Sequence, residues 1–335
     1  MYEKLLEKYS NQVEEKLEEY FEQVQSQGFI SEVHGHIREY VLRKGKRLAS
    51  CSTILAYKGY SGKVDEKILN ACIGVELYRH SILIHDDLVD LDEYRRGGKA
   101  FHKISSLDDR FGEGMAIFSG NILYVMALDA IQNSGFSKAQ IEKVISLFVN
   151  EFRMVNESQI LDLLFEYTQP SVEEWYDMAK KRAASLFKAT MLAGGIFADA
   201  QKKDLQVLEK AALQIGYAFD IQDDIIGTFA SEEQYGRPSG GDLLLGKKPL
   251  HIVYALESRK KLIELLRKKE LSLEEIEKAK TIIKRCGALD KAKEKLKEHA
   301  KKANELIQKT SMSSGSKKFF YGFIDYVAES LEWYK

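Results

Sequence analysis

What the chain has little of is the first guide to it. Only three of its 335 residues are proline, Pro170, Pro238 and Pro249, so long stretches carry nothing that removes a backbone donor or clashes inside a helix. Only three are cysteine, Cys51, Cys72 and Cys286. They are far apart, odd in number and without CxxC spacing, which argues against a disulfide framework and against a zinc site. A surplus of one charge is also lacking, since 50 Lys and Arg stand against 51 Asp and Glu. No global field points to nucleic acid or to an anionic membrane, and any electrostatic function must be local. The best apolar run, ILYVMAL at 122–128, falls far short of the ~20 residues a membrane span needs. The N-terminal MYEKLLEKYSNQVEEKLEEYFEQ is charged throughout and amphipathic, unlike a signal peptide. A soluble, cytoplasmic protein with no nucleic-acid partner and no membrane span is expected.

What is present is helical periodicity almost everywhere, with no sustained alternation of period two. Turn-forming clusters interrupt it at 26–29, 58–63, 95–102, 133–137, 167–171, 235–242 and 311–317. Segments 67–88, 115–132, 141–166 and 207–229 read as helices too long and apolar for a surface location. No low-complexity linker divides the chain, so one all-α domain spanning 1–335 is expected, with long helices around a core. The basic, Glu-rich stretch 259–309 reads as a solvated amphipathic layer outside it.

Two passages carry chemistry. In SILIHDDLVDLDEYRRGG (81–98), Asp86 and Asp90 stand four apart with Asp87 adjacent, and Arg95 and Arg96 follow at once. In AFDIQDDIIGTF (218–229), Asp220 lies three before Asp223 and four before Asp224, and Arg237, Lys247 and Lys248 come after. On a helix such acids share a face and repel unless a cation screens them. Mg²⁺ takes hard oxygen ligands and characteristically sits between one or two carboxylates and substrate phosphates. Two solvated acidic faces, with Arg95 and Arg96 merely pairing with Asp92 and Glu93, are the plain alternative in a chain that is 30% charged. Context argues against it, because each cluster follows an apolar helix and precedes basic residues.

With DDLVD followed by RRGG, and then GYAFDIQDDIIG, the chain resembles the trans-isoprenyl diphosphate synthase (polyprenyl synthetase) family. GKR (45–47), SQILD (158–162), KKRAASLF (180–187) and YGRPSGGDLLLGKK (235–248) follow the family's order, so the resemblance runs from about residue 40 to the C-terminus. It implies a single-domain isoprenoid synthase fold with long helices around a central cavity, as a homodimer. The implied reaction joins an allylic diphosphate to isopentenyl diphosphate, giving an all-trans prenyl diphosphate of farnesyl to geranylgeranyl length or longer. It implies Mg²⁺, as three ions bound with the substrate diphosphate, to neutralise the leaving group as charge develops. By position, Asp86, Asp90 and Asp223 hold metal, Asp87 and Asp224 support them, and Asp220 keeps a third acid on the second segment. Arg95, Arg237 and Lys247 contact the allylic diphosphate; Arg96 with Lys46, beside Arg47, faces the isopentenyl diphosphate. Gln159 and Asp162 match the polar pair of the cavity wall. His85 and His102 are expected as hydrogen-bonding structural residues.

The departures concentrate on the acceptor side. KGKRLAS has Ala49 where the family has a further Arg and Ser50 where it has Pro. Arg79, followed by His80, replaces a His seven residues before Asp86. Arg182 and Ala183 stand for a Lys–Thr pair, Asp220 for a Gln, Gly227 for the last Asp and Pro249 for a Thr. Product length should depend on the turns preceding Asp86: small Ser81 and Ile82 leave room and Tyr78 blocks the next turn, which favours the geranylgeranyl range or somewhat longer. Ala49 and Arg79 keep other readings open: a terpene-synthase-like lyase, a prenyltransferase with a different acceptor, or a modulatory subunit of a heteromeric synthase.

Overall fold

A computed structural model describes residues 2–105, 107–230, 240–257, 262, 265 and 271–329. They form α1 (Tyr2–Gln23), α2 (Phe29–Leu42), α3 (Leu48–Ser61), α4 (Glu66–Val89), β1 (Tyr94–Arg95), β2 (Gly98–Lys99) and a 3₁₀ turn (Phe101–Lys103). There follow α5 (Asp109–Gln132), α6 (Lys138–Tyr167), α7 (Val172–Lys181), α8 (Ala183–Phe197) and α9 (Lys202–Phe229). The remainder is α10 (Gly241–Leu245), α11 (Leu250–Leu256), α12 (Leu273–Arg285), α13 (Ala288–Lys309) and α14 (Ser314–Glu329). The fold is all-α, as expected. The four long helices read from periodicity lie inside α4, α5, α6 and α9.

Two compact units share these elements: Met1–Val149 with Ala189–Gln206 and Ser311–Phe319, and Asn150–Lys188 with Val207–Thr310 and Phe320–Lys335. Four of the five divisions fall inside α6, α8, α9 and α14, and the fifth falls between α13 and α14.

In the first unit α4 is the central element. Asp65 caps it by accepting from the Ile68 amide at 3.3 Å, which satisfies one of the amides a helix start leaves unpaired. Ile68, Cys72, Val75, Leu77, Tyr78 and Ile84 are all buried, and burial on every side is why the helix lacks a polar stripe. Apolar burial at ~25 cal/mol per Å² is what holds it there. Helix α5 packs along it, and Asp108 caps α5 through the Phe111 amide at 2.7 Å, which starts the helix six residues before the apolar pattern does.

The one departure from all-helical structure among the described residues is the hairpin β1–β2. Tyr94 pairs with Lys99 and Arg95 with Gly98. Arg96 and Gly97 form the two-residue loop with φ of 50° and 77°. Both central residues at positive φ define a type I′ turn, whose twist matches the strands it joins. RRGGKAFH therefore folds into a small hairpin and a 3₁₀ turn.

In the second unit a core of Trp175, Met178, Ile221, Leu250, Val253, Ile276, Ile283 and Leu296 joins α7, α9, α11, α12 and α13. Helices α12 and α13 bury one apolar face and expose charged residues on the other. This agrees with the layer expected over 259–309 where that stretch is described. Arg237 and most of the expected 235–242 break lie outside the described residues.

Candidate active site

The first acidic motif closes α4. Asp86 lies in the last turn and Asp90 is the C-cap, its amide donating to Asp86 O at 2.8 Å. Carboxylates there oppose the negative end of the helix dipole, each at a cost of ~0.3–1 kcal/mol. Acids kept at that end are poorly placed for stability and well placed for a cation.

Asp87 behaves differently from the metal-supporting residue expected. Its side chain is 0% exposed. Tyr40 OH donates to its Oδ2 at 2.7 Å and Arg95 Nε to its Oδ1 at 2.6 Å. Both oxygens are thus engaged within the protein, and Asp87 anchors Arg95 rather than presenting itself to a metal. Arg95 also reaches Asp92 at 3.1 Å and Asp86 at 3.8 Å. Burial lowers the Arg95 pKa, but Asp87 and the other neighbours outweigh this and raise it well above normal.

Arg96 projects from the hairpin loop to His80, Nη1 to Nε2 at 3.1 Å. Because a guanidinium can only donate, His80 Nε2 accepts and Nδ1 carries the proton given to Glu76 O at 2.7 Å. Burial first, then Arg96 and Arg47, hold the His80 pKa well below its normal range. The Arg96 guanidinium lies against Gly45, where a Cβ would come within 2.9 Å of Arg96 Cζ. Desolvation, then repulsion by Arg47 with a further push from Arg79, brings the Arg96 pKa to about 10. Lys46 and Arg79, both half-buried, complete a basic neighbourhood of the kind a diphosphate neutralises.

Arg47, expected to bind substrate, has a side chain with 0% exposure. It pairs with Glu14 and Glu76, each at 3.2 Å, and donates to Val41 O at 2.9 Å and Arg43 O at 3.2 Å. These bonds tie α1, α2 and α4 together at the N-cap of α3, and Arg47 is a structural cation. Ser50 Oγ donates to Glu76 at 2.6 Å, so the residue standing where the family has Pro joins the same network.

The chain-length residues also differ from expectation. Tyr78 is buried against Phe148 with ring centroids 4.6 Å apart, and Tyr124 is 6.3 Å away. Ser81 is fully buried and folds its hydroxyl onto Tyr78 O at 2.8 Å. The room expected beside Ser81 is therefore not accessible, whereas Ile82 keeps a little exposed surface. His85 bonds Ile117 O at 3.1 Å, as expected of a structural residue. His102 does not: neither ring nitrogen has a hydrogen-bond partner among the described residues.

In the second unit Arg182 occupies the break between α7 and α8, at φ −86° and ψ −108°. Its guanidinium meets Asp220 at 3.1 Å, Asp224 at 3.3 Å and Asp162 at 3.6 Å. Lys247 reaches the other oxygen of Asp162 at 3.7 Å. Gln159 lies one turn before Asp162 on α6, half-buried. Burial pushes Asp220 up to about 6 against the pull of Arg182, and burial likewise drives Asp224 well above the carboxylate range. Asp220 Oδ2 is buried with no hydrogen bond among the described residues. Asp223 stands on the same helix, half-buried.

The profile of the Polyprenyl synthetase family matches residues 31–283. The chain belongs to the polyprenyl synthetase family. It is 33% identical over 245 residues to a short chain isoprenyl diphosphate synthase of Methanocaldococcus jannaschii, covering 72% of each chain. It is 32% identical over 250 residues to a geranylgeranyl diphosphate synthase of Methanosarcina mazei, covering 74% of this chain and 75% of the relative. The crystal structure of geranylgeranyl pyrophosphate synthetase from Pyrococcus horikoshii superposes with a TM-score of 0.86 at 26% identity, covering 98% and 99% of the two chains. As a polyprenyl synthetase the chain is a trans-prenyltransferase, an enzyme of isoprenoid biosynthesis that extends an allylic diphosphate.

Enzymes of this family depend on Mg²⁺, and the donors here suit that ion. Among the described residues no three acidic, imidazole or thiol groups gather into a complete site. The acids are nevertheless hard oxygen donors at a helix end, and Asp220 Oδ2 is an orphaned buried oxygen. Mg²⁺ retains waters and takes substrate phosphates in place of a full protein cage, so an incomplete protein shell fits it. Tyr40, Arg43, Glu76 and Phe148 are the residues that sequence reasoning missed. Arg43 braces the hairpin by donating to Arg95 O at 3.0 Å and Lys99 O at 2.8 Å.

Proposed function

We propose that the chain condenses an allylic diphosphate with isopentenyl diphosphate to an all-trans product in the geranylgeranyl range or somewhat longer, as one domain over 1–335. The reading rests above all on Asp86 and Asp90 at the C-terminal end of α4, with Arg95 and Arg96 delivered by the hairpin directly after them. Asp86 and Asp90 in the first unit, and Asp223 with Asp224 in the second, are the residues that would hold Mg²⁺. Bound there, the metal supplies Lewis-acid neutralisation of the departing diphosphate.

The chain's own residues do the rest. Arg95 in the first unit, fixed by Asp87, and Lys247 in the second, steered by Asp162, are each assigned to the allylic diphosphate, as is Arg237. Arg96, Lys46 and Arg79 take the isopentenyl diphosphate. Arg96 is the better guide to that site, because neutral His80 and the flat face of Gly45 set its direction. Tyr78, packed against Phe148 with the rings tilted, stops the product.

The protein acts in the cytoplasm as a homodimer. Among the described residues α5 is the one helix long and apolar enough to cross a membrane. One of its faces packs on α4, and it carries Asp109, Arg110, Glu113 and Asp129. Phe111, Phe118 and Val125, seven apart, are exposed on it. An apolar stripe of that kind suits a second copy of the chain.

The test is incubation with Mg²⁺ and each allylic diphosphate, with and without isopentenyl diphosphate, followed by product mass. Elongation that requires isopentenyl diphosphate supports the reading. Hydrocarbon or alcohol products formed without it would sink it in favour of a lyase.

A further inference from the structure

The two acidic motifs carry their arginines differently. In the first unit Arg95 gives its short bonds to Asp87 and Asp92 and comes no nearer than 3.8 Å to Asp86, which keeps 32% of its side chain exposed. In the second unit the arginine sits on the motif itself. Arg182 Nε donates to Asp220 Oδ1 at 3.1 Å, and Nη2 lies 3.3 Å and 3.5 Å from the two oxygens of Asp224. Those carboxylates are only 5% and 12% exposed. A guanidinium is permanently charged, so while Nη2 lies against both oxygens of Asp224 a metal ion approaching them meets a like charge a few ångströms away.

We propose that Arg182 is a latch on the second acidic motif: Asp224 yields its carboxylate to a metal ion only when a diphosphate draws the guanidinium away. Metal therefore loads at the first motif alone, and at the second only together with diphosphate. The exchange is balanced, because the planar fork that leaves a carboxylate finds the same bidentate geometry on phosphate oxygens. Asp220 is the positioning residue. It holds Nε while Nη2 changes partner, so the guanidinium pivots and does not leave. Residue 182 can reach these acids because it stands at the break between two helices, where its backbone is outside both ladders.

The inference rests on the metal-dependent prenyltransferase reading, and one experiment separates the two. The full chain is titrated with Mn²⁺ as a paramagnetic stand-in for Mg²⁺, with and without inorganic diphosphate, and bound ions are counted by electron paramagnetic resonance. The wild type should bind Mn²⁺ alone through the first motif, lose that binding in Asp86→Asn, and take up further ions when diphosphate is added. Arg182→Gln should bind the further Mn²⁺ without diphosphate, about tenfold more tightly than the wild type does, the worth of one charge-assisted hydrogen bond. Arg182→Lys retains a cation for folding but cannot span Asp220 and Asp224, and should show a smaller gain in the same direction. Circular dichroism confirms that each variant is folded. If neither variant gains diphosphate-independent Mn²⁺, the latch is overturned while the prenyltransferase reading stands. If the wild type takes up no further Mn²⁺ with diphosphate, both fall.

Discussion

Replacing Arg47 by Met separates a structural cation from a substrate ligand. The side chain is wholly enclosed and makes four polar contacts: to Glu14 and Glu76, and to the carbonyls of Val41 and Arg43. Methionine fills most of the volume and returns none of them. Two backbone carbonyls lose a donor, and Glu76, whose side chain is 2% exposed, is left as a buried carboxylate without its arginine. Breaking a buried pair from one side costs ~3–5 kcal/mol, a large share of the ~5–15 kcal/mol that holds a typical domain folded. The amide and the hydroxyl of Ser50 leave Glu76 two other donors, which argues for the lower end of that range. Adding Glu76→Gln removes the stranded charge and should recover about half of the loss, since most of the penalty belongs to the unpaired ion. Urea unfolding of wild type, Arg47→Met and the double variant measures this directly, and the KM for isopentenyl diphosphate at low urea should stay within about twofold. A stability loss below ~1 kcal/mol together with a tenfold rise in that KM would refute the reasoning and return Arg47 to the substrate.

Asp86→Ala should reduce kcat by at least about a hundredfold while unfolding no earlier than wild type, because it removes a like charge from the unfavourable end of α4; early unfolding with activity retained would remove Asp86 from the metal site. Gly45→Ala puts a methyl group against Arg96 and should raise the KM for isopentenyl diphosphate about tenfold, with the allylic KM unchanged. Tyr78→Leu should open space beside Phe148 and shift products to longer chains on mass analysis, at a stability cost of ~2–4 kcal/mol; an unchanged product distribution would move the stop elsewhere. His299, buried between Tyr176 and Gln214, has its pKa held down to about 4, first by burial. The unfolded chain takes up that proton near 6.5 and the folded chain does not, so stability is full above 6.5 and falls as pH drops toward 4. The displacement is worth about 3 kcal/mol, and His299→Gln should flatten the urea midpoint over that interval.

The helices and the order of the motifs were legible because both are local. Period and spacing place Asp86 and Asp90 on one face of α4, and Asp220 and Asp224 on one face of α9, with no knowledge of what packs where. The roles within each cluster were not legible, because they depend on partners distant in sequence. Asp87 and Asp86 are neighbours in the chain, yet Tyr40, 47 residues upstream of Asp87, makes one structural and leaves the other presented. Arg47 and Lys46 likewise part company through Glu14 and Glu76. The break at Arg182 has no Gly or Pro to announce it, and the hairpin at 94–99 is too short to show alternation. At 81 the side-chain size was read correctly and the space beside it was not, because Ser81 is fully buried with its hydroxyl on its own helix.

Arg96 also has an evolutionary consequence. A long, charged side chain at φ 50° occupies a conformation that costs a non-glycine residue ~1–2 kcal/mol, and asparagine or glycine would relieve it. Selection of this chain for heat resistance alone would therefore favour loss of the arginine at that position. Persistence of Arg96 through such a selection would require that turnover be selected as well, so a library screened first for melting temperature and then for product offers a way to watch strain and catalysis compete at a single codon.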